Sequence, residues 1–302
     1  MEPVLNLIQE CSLLSQTALQ CVAPAYNELT MDEIEIQDFR QLVRDYYHAH
    51  GRHDLPWRQP EASGEFSSYK IMVSEIMLQQ TQVARVVEKY QQFLELFPSV
   101  DALAAADLGD VLRAWSGLGY NRRAKFLHQA AQKVVNDFDN VYPQTPEQLI
   151  TLPGIGKNTA GAILVYAFNK PVLFVETNIR TVYIHHFFDD QNAVDDKNIL
   201  NMLSITLDED NPREWYWALM DYGSYLKQSG IRRNHQSKHY TKQSKFEGSK
   251  RQVRGEVLRA LAAAPQSLTQ LKKHIDDIRL EAVVNDLITE GLITKKESKL
   301  SL

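Results

Sequence analysis

Cysteine is almost missing from this chain: 302 residues carry two, Cys11 and Cys21. Two thiols ten positions apart supply neither a disulfide framework nor the ligand set of a structural metal centre. Basic residues are missing from the first 39 positions, where seven acids stand (Glu2, Glu10, Glu28, Asp32, Glu33, Glu35 and Asp38). No apolar run approaches the roughly 20 residues of a membrane span, and no basic n-region precedes a clean apolar h-region at the N-terminus. A soluble, cytoplasmic protein in a reducing compartment is the expectation, with no membrane partner. Strand-like alternation is also scarce, "PVLFV" at 171–175 being its best instance.

What is present is helical periodicity. Phe39, Leu42, Val43, Tyr46 and Tyr47 recur at helix spacing, as do Ile71, Met72, Ile76 and Met77, then Val83, Val86, Val87, Tyr90, Phe93 and Leu94. Pro98 and Pro143 read as helix ends, and Asp101 and Thr145 as N-caps. The spacing predicts an all-α fold over 37–226, after an acidic extension at 1–36. Residues 227–250 read as a basic loop or linker. Residues 251–302 read as a helix, a short helix, a helix and a strand, the order of a winged-helix-like module. The net charge of −5 hides a basic stripe: residues 227–254 hold nine cations against Glu247 alone. Such a run is a solvated face or a nucleic-acid footprint.

Four stretches carry candidate chemistry. "LPGIGKNTAGAI" (152–163) sets Gly154 and Gly156 around Ile155 just before a helix start at Lys157 and Asn158. Glycines there let backbone N–H groups point outward, and the helix terminus adds partial positive charge, so the hairpin can grip a phosphate without reading a base. An ordinary glycine turn is the plainer alternative. "SEIMLQQTQV" (74–83) puts Glu75 on an apolar helix, where desolvation raises a carboxyl's pKa, with Gln79 and Gln80 one turn later. A solvent-facing glutamate is the alternative there. "GLGYNRRAKFLH" (117–128) sets Tyr120 beside Arg122, Arg123 and Lys125, a combination suited to a wedged or stacked base with phosphates nearby. In "PVLFVETNIRT" (171–181), Glu176 ends an apolar run at a helix start. Two restrained carboxyls flanking a glycosidic bond divide the work, one as acid and one as anion. A Glu176 that only complements the helix dipole is the alternative.

Together with "LPWR" (55–58), "WSGLGYNRRAKFL" (115–127), "VETNIRTV" (175–182) and "ALMDYG" (218–223), these stretches resemble the helix–hairpin–helix DNA glycosylases, most closely the MutY-type adenine glycosylases. Six motifs fall in the family's order over about 190 residues. The resemblance implies a two-lobed all-α enzyme that flips a base out of double-stranded DNA with a mismatched or damaged base and hydrolyses its N-glycosidic bond. It places the acid at Glu75 and the second carboxylate at Glu176, with Asn178 beside it. DNA-binding roles fall on Gln79, Gln80, Tyr120 and Arg122, and on Gly154, Ile155, Gly156, Lys157 and Asn158. Leu55, Trp57, Arg58 and Asp221 fall on the base pocket. An alkali ion at the hairpin carbonyls is implied; no other metal is expected.

Four departures shape the expectation. The family's usual aspartate is Glu176 here. The lyase lysine of bifunctional relatives is Asn158, which implies a monofunctional enzyme. The region of the four iron–sulfur cysteines holds Lys227 and no cysteine, so the cluster is expected to be absent. The Nudix-like C-terminal domain is also missing. The sequence therefore predicts a monomeric, cofactor-free glycosylase of base excision repair acting on adenine opposite guanine or 8-oxoguanine. A mismatch uracil/thymine glycosylase and a catalytically weak, damage-sensing DNA-binding protein stand as the alternatives.

Overall fold

A computed structural model describes residues 33–242 and 245–302. Cys11, Cys21 and most of the acidic extension lie outside the described residues. Helix α1 (Glu33–His50) is followed by a 3-10 turn at Pro56–Arg58. Then come α2 (Ser68–Leu78), α3 (Val83–Leu96), α4 (Val100–Ala105), α5 (Leu108–Ala114) and α6 (Arg122–Phe138). Next are α7 (Pro146–Leu149), α8 (Lys157–Phe168), α9 (Thr177–Phe187), α10 (Asp196–Thr206) and α11 (Pro212–Gln228). Among the described residues, strands occur only near the C-terminus. The "PVLFV" stretch is extended but pairs with no strand, because its hydrogen bonds go elsewhere. The Phe174 N–H donates to the Tyr216 hydroxyl at 3.0 Å, and that hydroxyl donates to the Val172 carbonyl at 3.0 Å.

The centre is built on two helices that are apolar nearly all round. In α2, Tyr69, Ile71, Met72, Val73, Ile76 and Met77 are buried; in α8, every residue from Ala160 to Ala167 is. A helix without a polar stripe belongs inside a bundle, and α2 packs against α8. Gly161 makes room for the next segment, since a Cβ there would sit 2.8 Å from the Phe174 Cβ. Phe174 in turn stacks on Tyr216 of α11 at 4.2 Å between centroids.

Helix ends follow local chemistry. Ser67 caps α2, Thr145 caps α7 and Asp195 caps α10. The expected cap at Asp101 is two residues off: Ser99 accepts the Ala102 N–H, and Asp101 sits in the first turn facing the dipole. Helix α3 ends at Leu96, just ahead of Pro98. Helix α6 stops well before Pro143, where Asp139 turns left-handed at φ 49°.

The C-terminal module contains α12 (Lys250–Ala263), α13 (Leu268–Leu271) and α14 (Leu280–Thr289). Three short strands, β1 (Gln266–Ser267), β2 (Thr294–Lys296) and β3 (Lys299–Ser301), form one antiparallel sheet in the order β1-β3-β2. The expected single strand is thus a β2–β3 hairpin paired with a third strand. Val257, Leu261, Leu271, Val283 and Leu287 make the module's core. It docks on α6, where Lys125 donates to the Glu290 carbonyl at 2.5 Å, a cation capping the end of α14.

Candidate active site

Glu75 lies two turns into α2, between buried Ser74 and Ile76. Its own backbone is held by the helix, and its carboxyl has no hydrogen-bond partner among the described residues. Burial, then the nearby Glu176 charge, push its pKa up to about 8, with Arg58 opposing. A group so placed keeps its proton at neutral pH and has no internal acceptor competing for it.

Glu176 is the N-cap of α9. One oxygen accepts the Asn178 N–H at 2.6 Å and the Ile179 N–H at 3.0 Å. The other is 3.5 Å from the Asn178 side-chain amide. The extra methylene relative to aspartate is taken up by folding the side chain back onto its own helix start. Burial raises the Glu176 pKa as well, but the Ile179 and Asn178 amides, Lys227 and Arg180 all favour its anion. The two carboxyls therefore share a desolvated site that raises both pKa values, and they differ in their partners: Glu75 has no donor, and Glu176 has several.

Several site residues were not visible in the sequence. Lys227 lies on α11, on the same face as Met220 and Gly223 by the i, i+3, i+7 rule. That face meets α9: Met220 Sδ is 3.8 Å from Asn178 Nδ2, and a Cβ on Gly223 would run into the Asn178 carbonyl. Burial lowers the Lys227 pKa and Glu176 opposes that shift. Tyr166 of α8 is buried beside both carboxyls, and its phenol is raised well above its ordinary value by burial and then by Glu75. No motif announced either residue; their place comes from helix packing. Asn178 Oδ1 is buried without a partner, an acceptor left over inside the site.

The expected base-pocket residues separate into two groups. Arg58 and Asp221 are buried against each other in a two-bond pair at 2.8 and 2.9 Å, and Arg52 adds its backbone N–H to Asp221 at 2.7 Å. They tie the 51–58 loop to α11. Leu55 and Trp57 are buried as well. Trp57 borders a concavity of about 600 Å³ with Phe66, Lys70 and Tyr90, whose lining includes neither carboxylate.

The hairpin reads as expected in its glycines. Gly154 sits at φ 78° with Phe126 where a Cβ would go, and Gly156 caps α8 with open space beside it. Exposed Lys157 follows. Ile155 differs: its side chain is buried and its N–H is spent on the Leu152 carbonyl at 3.1 Å. The outward amides are thus those from Gly156 onward. The Leu152 oxygen keeps a second lone pair for the alkali ion that the resemblance implies. Two of the expected DNA-binding side chains act as struts: Asn158 donates to the Val175 carbonyl at 2.6 Å, and Gln79 to the Thr159 hydroxyl at 3.3 Å.

Gln80 and Tyr120 both lie in the left-handed region, at φ 55° and 46°, and both are exposed. Strain of that kind collects at functional loops. Of the three cations near Tyr120, Arg123 is buried and holds both turns. It donates to the Ile76, Met77, Leu118 and Gly119 carbonyls at 2.7–3.2 Å. Lys125 is engaged by the C-terminal module, and Arg122 stays exposed, 4.0 Å from Glu290. The basic stripe is also partly spent: Arg233 pairs with Asp189, Lys238 with Asp195 and Arg254 with Glu290. The segment after α11 offers no thiolates for an iron–sulfur cluster, since both cysteines precede residue 22.

The structure thus sets a glycine hairpin at a helix start, two exposed left-handed turns and two buried carboxyls on one helical frame, and comparison with known proteins gives the family. Residues 73–204 match the family described as HhH-GPD superfamily base excision DNA repair protein. The chain belongs to this superfamily. It is a DNA glycosylase of base excision repair. It is 32% identical to an adenine DNA glycosylase of Mycolicibacterium smegmatis, over 82% of this chain and 90% of that one. It is 31% identical to an adenine DNA glycosylase of Mycobacterium tuberculosis, over 84% and 89%. A Buchnera aphidicola adenine DNA glycosylase is 36% identical over 62% of this chain, which spans 52% of that relative's length. Among solved structures, a thermostable thymine-DNA glycosylase aligns at TM-score 0.55 and 22% identity, over 63% of this chain and 87% of that one, a likeness of fold.

Proposed function

We propose that this glycosylase removes adenine mispaired with guanine or 8-oxoguanine, by hydrolysis and without a strand-cleaving lyase step. The observation that carries the reading is the division between Glu75 and Glu176. Glu75 gives its proton to a ring nitrogen of the flipped adenine. The C–N bonding pair then leaves with the neutral base, and positive charge develops on the sugar. Glu176, whose anion two backbone amides and Lys227 favour against the upward pull of burial, faces that charge. Water, oriented by the unpartnered Asn178 Oδ1, adds to the sugar carbon and passes its proton to the Glu176 carboxylate.

The adenine glycosylase relatives support the choice of base. The Asn158 strut supports hydrolysis alone, since an amide stands where a lyase needs an amine. Double-stranded DNA is the partner, held by the Gly156–Asn158 amides at a phosphate and opened at Gln80 and Tyr120. We further propose that the enzyme works without an iron–sulfur cluster, which iron and sulfide analysis of the purified protein checks. The deciding assay is base release from duplexes holding A·G, A·8-oxoguanine, T·G, U·G and 5-hydroxymethyluracil. Adenine release from the first two is expected; release only from the pyrimidine duplexes refutes the adenine reading. Borohydride trapping is expected to yield no covalent protein–DNA product.

A further inference from the structure

The chemistry proposed above makes no use of the C-terminal module, yet the module holds the Tyr120 turn from two sides. Tyr120 ends a glycine-rich turn (Gly117 φ 96°, Gly119 φ 72°) just ahead of α6. Its ring is 37% exposed. Arg251, in the first turn of α12, donates Nη1 to the Tyr120 hydroxyl at 2.5 Å, and its guanidinium lies 5.6 Å from the ring centroid. The Arg123 guanidinium lies 5.6 Å from the same ring. On the other side, the end of α14 is bound to the first turn of α6. Lys125 reaches the Glu290 carbonyl, and the Glu290 carboxylate takes Arg254 at 3.0 and 2.6 Å.

An exposed tyrosine on a strained turn would otherwise sample several rotamers, and freezing one on DNA costs entropy. Two guanidiniums and a charge-assisted hydrogen bond restrict the ring before DNA arrives. We propose that Arg251 is a positioning residue for Tyr120, so that the C-terminal module sets the readiness of the wedge and thereby base flipping. This rests on the reading of Tyr120 as the wedge. Arg251 acts through Tyr120 on the unstacking step and leaves the carboxyls untouched.

The test uses full-length protein and duplexes carrying 2-aminopurine at the target position, whose fluorescence rises on unstacking whether or not any base is excised. Arg251→Ala and Tyr120→Phe are each expected to lower the flipped fraction about tenfold, the size of one hydrogen bond to a charged group. The double variant should lose no more than either single one, because both remove the same bond. Arg251→Lys should recover part of the signal. The deficit should shrink when the target base is already unpaired in a single strand, where little unstacking remains to be done. Wild-type flipping by Arg251→Ala, or an equal deficit on paired and unpaired targets, overturns the proposal. Should wild-type protein brighten 2-aminopurine but release no adenine, the adenine chemistry fails while the positioning role stands.

Discussion

Replacing Glu75 by glutamine tests the site most directly, because it separates the acid's chemistry from its cost. Moving the carboxyl from its ordinary 4.5 to about 8 disfavours its anion by about 5 kcal/mol, at about 1.4 kcal/mol per pH unit. Below pH 4.5 the group is neutral folded and unfolded, and there is no penalty. As pH rises through 4.5 to about 8, the unfolded chain ionises first and the folded state loses stability. Above about 8 the penalty is constant. Relaxation around the charged form relieves part of it, so roughly 2 kcal/mol is expected to survive, equivalent to a Tm change of about 3 °C in a protein of this size. Glu75→Gln should therefore match wild type near pH 4.5 and be more stable at pH 9, while losing excision at every pH. Urea denaturation at the two pH values reads the first effect; single-turnover excision reads the second. Wild-type excision should fall as pH passes about 8 in free enzyme, and at higher pH with DNA bound, since phosphates favour the protonated acid. An equal stability difference at pH 4.5 and pH 9 would refute the reasoning.

Other residues give further tests. Glu176→Asp keeps a favoured N-cap on the same two amides, so excision within about tenfold of wild type is expected; Glu176→Gln should lose it. Asn158→Ala removes the bond to Val175 and should slow single-turnover excision about tenfold with little change in nonspecific DNA affinity. Asp221→Asn breaks the buried pair with Arg58, and a loss of about 3–5 kcal/mol in denaturation is expected. Neutralising Arg233 and Lys238, which are already paired with Asp189 and Asp195, should leave the salt dependence of DNA binding nearly unchanged. Neutralising Lys157 should reduce that slope by about one.

Much of this was legible in the sequence because it is local. Helical spacing, the glycines of the hairpin and the position of Glu75 among apolar neighbours are statements about residues a few positions apart. What was not legible depends on pairings across the chain. Arg123 looks like Arg122 in sequence, but its guanidinium is turned inward to four carbonyls of two separate turns. Three cations of the basic stripe pair with Asp189, Asp195 and Glu290, acids that lie outside the stripe in sequence. The resemblance places Arg58 and Asp221 at the base pocket, and only the structure shows that they pair with each other across the chain. Lys227 and Tyr166 carry no motif, and only the packing of α11 on α9 and of α8 beside α2 brings them to the carboxyls.

In the proposed mechanism helix α8 links the phosphate grip to the acid chemistry. Its first turn presents the amides that would hold a phosphate. Two neighbouring residues of that same turn, Asn158 and Thr159, are tied to the Val175 carbonyl and to Gln79. Val175 precedes Glu176, and Gln79 caps the helix that carries Glu75. The hairpin helix is therefore tied directly to the residue before Glu176, and through the Gln79 side chain to the end of the helix that carries Glu75. In the proposed mechanism a duplex gripped at the hairpin would sit at a fixed offset from both carboxyls. The same coupling explains why an amide suits position 158: a lysine there would give up the Val175 tie and release the segment that sets Glu176.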